Sequence, residues 1–106
     1  MTKTRDVAVI TVQGRVDTLS AGDLEQTLIQ WIEAGERQLI LDLSGLEYIS
    51  SAGLRTVLVA GKKAKANGGS LCCCALQDMV RRVFDVSGFS LILSVYNSLD
   101  EALAAQ

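Results

Sequence analysis

The sequence predicts a single α/β domain, with a mainly parallel sheet of four or five strands and about four helices. Three observations predict it. Short apolar runs of strand length alternate with stretches whose apolar residues recur at helical spacing, the signature of strand–helix–strand units with right-handed crossovers. Serines and glycines fall at the junctions between them, where helices start and stop. The chain has 106 residues, 49% of them hydrophobic, which is enough for one packed core and too little for two.

The elements follow in order. Val7–Val12, Gln38–Leu43, Leu71–Leu76 and Leu91–Val95 are rich in β-branched and apolar residues, and their nearly unbroken hydrophobicity suits strands covered on both faces. Ala21, Leu24, Leu28, Trp31 and Ile32 form the buried stripe of a first helix, so Trp31 needs no ligand to account for it. Leu54, Val57, Leu58 and Gly61 mark a second helix, with Arg55, Lys62, Lys63 and Lys65 left for solvent. Val80, Val83 and Phe84 mark a third, and Leu99, Ala102 and Leu103 a fourth. Ser20 with Asp23 resembles a capping box, with Leu19 placed to staple onto Leu24, and Ser98 with Glu101 is a cleaner example. Gly35, Gly68-Gly69 and Gly88 stand where helices should end.

Composition excludes several functions. Ten Lys+Arg against twelve Asp+Glu give a net charge of −2 and a pI near 5.0, a poor balance for holding nucleic acid phosphates. Mean hydropathy is +0.30, which excludes intrinsic disorder. Histidine is absent, removing imidazole-based catalysis and most metal sites. Apolar runs fall well short of the roughly 20 residues that cross a bilayer, and the N-terminus has no secretion-signal character. A cytoplasmic, monomeric domain without direct membrane insertion is expected, with no metal and no cofactor. Cys72, Cys73 and Cys74 are consecutive, so strand alternation sends the middle thiol to the opposite face and prevents a shared metal site. They read as small buried hydrophobes in a reducing compartment.

The informative junction runs from Asp42 through Leu54, where a strand ends, a short loop crosses, and Ser50-Ser51 opens a helix. With Ser50 as the N-cap and Ile49 stapled onto Leu54, Ser51 becomes the first helical residue and its hydroxyl is spare. A phosphate there would meet free N–H groups and the positive end of the helix dipole. Arg55 lies one turn on, where a cation opposes the dipole, and so is suited to meeting an anion or an acidic partner. Asp42 is placed to hold the loop through backbone N–H groups. Asp17, Thr18 and Ser20 follow the first strand, where a parallel neighbour brings them beside the Ser51 loop. They read either as part of a docking surface or as a turn and a cap.

The stretch Asp42-Leu43-Ser44, then Tyr48-Ile49-Ser50-Ser51-Ala52-Gly53-Leu54, resembles the signature of the STAS domain of bacterial anti-sigma factor antagonists. Gly14-Arg15-Val16-Asp17, Val80-Arg81-Arg82-Val83-Phe84, Ser87-Gly88-Phe89 and Val95 through Ala102 extend the resemblance over nearly all of residues 1–106. It implies a non-enzymatic, partner-switching regulator. In that family the serine matching Ser51 is phosphorylated by an anti-sigma factor serine kinase, which breaks the complex, and a PPM-type serine phosphatase reverses it. Many members carry Asp where this chain has Ser50, which makes Ser50 the second candidate for modification. The implied partner-binding surface comprises Asp17, Thr18, Ser20, Ser50, Ala52, Gly53 and Arg55. STAS-like domains also serve as cytoplasmic accessory subunits of membrane transporters, which is the alternative the resemblance implies. No nucleophile–base pair suggests an enzyme.

Overall fold

The computed structural model describes residues 1–89 and 92–106. The elements are β1 (Thr2–Thr4), β2 (Val7–Thr11), β3 (Gly14–Val16), α1 (Ala21–Glu33), β4 (Gln38–Asp42), β5 (Leu46–Ile49), α2 (Ser51–Ala66), β6 (Ser70–Cys74), α3 (Asp78–Val86), β7 (Val95–Tyr96) and α4 (Leu99–Ala104). The main sheet runs β1-β2-β4-β6-β7 and is parallel except for β1, while β3 and β5 form a separate two-stranded parallel ribbon. The antiparallel β1 is joined to β2 by Arg5 and Asp6, both at positive φ, as the tight two-residue turns that match strand twist require.

Strand alternation sorts the core. Ala8, Ile10, Leu39, Leu41, Leu71 and Cys73 join the larger cluster with Leu28 and Ile32 of α1, Val57 and Ala60 of α2, and Val80 and Phe84 of α3. Val7, Val9, Ile40, Cys72 and Cys74 form a second cluster with Ala102, flanked by Leu99 and Leu103 of α4. A buried Leu or Ile contributes about 1.5–3 kcal/mol, so three helices on one face and a short one on the other account for the near-continuous apolar strands. Trp31 is partly buried against the larger cluster.

Three features differ from the sequence reading, the first being β1, which no apolar run marks. The strand expected at Leu91–Val95 is found at Val95–Tyr96; Leu91 lies outside the described residues, and Ile92, Leu93 and Ser94 are not strand. Gly14–Val16 and Leu46–Ile49, read as loop, pair as the ribbon. At α4 the Ser98 cap is as expected, its Oγ accepting from Glu101 N at 3.1 Å, while the Glu101 carboxylate accepts from Asn97 N at 3.1 Å, one residue before the N–H that a capping box uses. Gly35, Gly68 and Gly88 all take positive φ just beyond α1, α2 and α3, where a side chain would strain the backbone.

The cysteines are free and buried, with Cys73 facing one cluster and its neighbours the other. Burial raises the Cys72 thiol to about 11 and Cys74 to about 12, and pushes Cys73 up as well. Since the thiolate is the reactive species, a disulfide reagent at pH 8 should titrate no thiol in the folded protein and three in denaturant. A native thiol reacting within minutes would contradict this packing.

Candidate functional site

The site is built where β3 and β5 end side by side. Val16 pairs with Ile49, and Ser50 N donates to Val16 O at 2.8 Å, so the Asp17 loop and the Ser50-Ser51 step leave the ribbon together. The expected parallel neighbour is therefore present, although it belongs to the ribbon and not to the main sheet. Ser50 has extended backbone and its Oγ accepts from Gly53 N at 3.1 Å, which satisfies one of the helix's orphan donors. Ser50 is only 9% exposed, so its hydroxyl is both committed and covered.

Ser51 stands in contrast. It is the first residue of α2 and is exposed, and its hydroxyl makes no hydrogen bond among the described residues. The N–H groups of Ser51 and Ala52 also find no acceptor there, which leaves free donors and the positive end of the helix dipole at this tip. Ile49 and Leu54 are buried in one cluster, consistent with the expected staple.

Gly53 takes a different part from the expected surface role, because it is buried. A Cβ there would lie 2.7 Å from Ile49 Cγ1 and 2.8 Å from Val16 Cγ1. The missing side chain is what lets the first turn of α2 sit against the ribbon. Ala52 is half-buried and Arg55 exposed.

The Asp17 loop also departs from expectation. Ser20 precedes α1 in helical conformation and gives no side-chain cap to it, and Leu19 is 90% exposed, so neither the Ser20–Asp23 box nor the Leu19–Leu24 staple forms. Asp17 organises the turn instead: its Oδ1 accepts from Leu19 N at 3.0 Å, Ser20 N at 2.9 Å and Ser20 Oγ at 3.1 Å. Ser20 Oγ in turn accepts from Asp17 N. Ser20 Oγ is thus engaged backwards with Asp17, and with helical backbone it does not accept from the N–H groups ahead of it that a cap would take. Asp17 and Thr18 are exposed and Ser20 half-buried.

The Ser20 N–H and hydroxyl, with the Leu19 N–H, hold the Asp17 carboxyl below its ordinary 3.8. A lowered folded-state pKa contributes stability that is present above the unfolded value and lost as pH falls through the folded one. Asp17→Asn should therefore lower the urea midpoint at pH 7, with the gap to wild type closing below about pH 4. A gap independent of pH would contradict the role of the ionised Asp17 carboxylate in the turn.

Further contacts frame the site. Asp42 Oδ1 accepts from Ser44 N at 3.1 Å, as expected, and Gln77 Nε2 at the start of α3 donates to Ser44 O at 2.9 Å. Arg15 stacks over Tyr48 at 4.3 Å, a cross-strand contact worth about 0.5–1 kcal/mol at an exposed site. Glu47, Tyr48, Ile49, Met79, Val80 and Val83 line an apolar groove of about 110 Å³ between β5 and α3. The Arg15–Tyr48 stack, exposed Leu19 and this groove were missed from the sequence. No sequence pattern marked them, because the ribbon strands have only three and four residues and Leu19 lies in the loop before α1. No cluster of metal-ligating side chains occurs among the described residues, and none of their helices is long and apolar enough to cross a membrane.

This fold, with a serine-capped helix opening beside the β3 exit, is that of a known family: the chain belongs to the STAS domain family, matching it over residues 1–102. It is 43% identical over 105 residues to BtrV of Bordetella bronchiseptica, a protein provisionally named as an anti-sigma factor antagonist, covering 99% of this chain and 90% of that one. A crystal structure of an anti-sigma factor antagonist from Mycobacterium paratuberculosis superposes with a TM-score of 0.90 at 28% identity, covering 98% of this chain and 88% of that one. Two likenesses at lower identity concern the fold alone. One is to the Bacillus cell fate determinant SpoIIAA in its phosphorylated form, with a TM-score of 0.75 at 22% identity, covering 99% and 95% of the two chains. The other is to a sulfate transporter family protein of Wolinella succinogenes, with a TM-score of 0.83 at 20% identity, covering 99% and 88%.

Proposed function

We propose that the protein is an anti-sigma factor antagonist, a non-enzymatic regulator that binds an anti-sigma factor serine kinase and is released by phosphorylation at Ser51. One observation carries the choice of residue: the Ser51 hydroxyl is exposed and uncommitted at the tip of α2, while the Ser50 hydroxyl is buried in the cap. The Ser51 oxygen attacks the γ-phosphorus of ATP held by the kinase, its proton passes to a base there, and ADP leaves. A PPM-type phosphatase hydrolyses the new ester, releasing inorganic phosphate.

The docking surface consists of Asp17, Thr18, Ser20, Ser51, Ala52 and Arg55, with Leu19 as its apolar knob. A dianion at its centre adds repulsion and desolvation cost to the complex. The antagonist names of BtrV and the mycobacterial protein, at the higher identities, favour this reading over a transporter accessory role.

A pull-down from cell extract with wild type and Ser51→Asp tests the reading. Wild type should retain a partner of histidine-kinase-like ATPase fold, and Ser51→Asp should lose most of it. Equal recovery would count against the switch.

A further inference from the structure

The charges of α2 are arranged unevenly. Its basic residues are Arg55, Lys62, Lys63 and Lys65, and it carries no acidic residue. The three lysines lie toward the C-terminal end, where the helix dipole favours cations, while Arg55 lies in the N-terminal part, where it does not. Arg55 is exposed and has no hydrogen bond or ion pair among the described residues. With no carboxylate on α2 it has no partner three or four residues away along its own helix.

Arg55 stands four residues after Ser51, so both occupy one face, roughly 5–6 Å apart at their Cβ atoms. Helical side chains lean toward the N-terminus, so the guanidinium can reach back over the Ser51 position. Arginine is also the side chain whose planar donor fork matches two phosphate oxygens at once.

We propose that Arg55 is a positioning residue for phosphoserine at position 51, clamping the phosphate against the end of α2 in an intrachain ion pair. This rests on the reading of Ser51 given above. Modification then changes the docking face twice, adding a dianion and withdrawing the exposed cation that an acidic patch on a partner would seek.

The test uses the full chain with phosphoserine encoded at position 51, so no kinase is needed. The second ionisation of the phosphate is followed by ³¹P NMR in wild type, Arg55→Lys and Arg55→Gln. The ionisable groups on or beside the elements packed against this end of α2 are Arg15, Asp17, Asp23, Glu25, Glu47 and Tyr48. All are common to the three proteins, so differences isolate position 55. An adjacent cation favours the dianion, so Arg55→Gln should raise the phosphate pKa by about 0.3 unit, with Arg55→Lys in between. Identical titrations in wild type and Arg55→Gln would overturn the clamp. Failure of a kinase to modify Ser51 would instead strike the parent reading, and the NMR comparison is independent of that outcome.

Discussion

Ser51→Ala is expected to abolish phosphoryl acceptance from the cognate kinase, whereas Ser50→Ala keeps it. The two substitutions should have the opposite order of effect on stability. The Ser51 hydroxyl makes no hydrogen bond among the described residues and the residue is exposed, so Ser51→Ala should leave the unfolding free energy within about 0.5 kcal/mol of wild type. Ser50→Ala removes the acceptor for Gly53 N and should cost about 1 kcal/mol. Radiolabel incorporation and urea denaturation of the same two variants read both axes. Acceptance lost in Ser50→Ala and kept in Ser51→Ala would reverse the assignment of cap and acceptor.

The second large effect concerns Gly53. Replacing glycine by alanine within a helix ordinarily stabilises by about 0.5–1 kcal/mol, because alanine loses less backbone freedom on folding. At Gly53 the added Cβ meets Ile49 Cγ1 and Val16 Cγ1 below 3 Å. Both neighbours are buried and β-branched, hence stiff at χ1 and unable to swing aside. Overpacking of this kind costs about 1–3 kcal/mol, so it outweighs propensity and Gly53→Ala should destabilise by about 1–2 kcal/mol. Gly22 in the first turn of α1 has nothing within 4 Å of its Cβ position, so Gly22→Ala supplies the control and should be neutral or stabilising. Gly53→Ala should also weaken partner binding, since relief of the clash moves the Ser51 tip away from the Asp17 loop. Equal denaturation midpoints for the two alanine variants would contradict the close approach.

What was legible in the sequence was local. Ser50 and Ser98 could be read as caps because the N–H each accepts lies three residues ahead. The facing of Cys72, Cys73 and Cys74 follows from a two-residue period alone. Ser51 was visible as the residue left over once Ser50 was assigned. The β3–β5 ribbon was not visible, because its strands have three and four residues and Leu46–Ile49 reads buried, exposed, exposed, buried, without strand alternation. Their pairing joins segments some thirty residues apart, which no local pattern encodes. The staple at Leu19 failed for a related reason: spacing offers Leu19 to Leu24, but Asp17 takes the N–H groups of Leu19 and Ser20 and turns Leu19 outward. Thus the caps at Ser50 and Ser98 and the glycines that end α1, α2 and α3 could be read directly, while the start of α1 and the neighbour that gives the Ser51 tip its setting needed the fold.

The account stands on a negatively charged group at the α2 tip deciding whether a second protein stays bound. Calorimetric titration of the purified anti-sigma factor with unmodified protein and with protein carrying encoded phosphoserine at position 51 measures this directly. Burying a dianion at a contact costs several kcal/mol when no cation of the partner receives it, so affinity should fall by about 100-fold or more. Dissociation constants that agree within about threefold would contradict it.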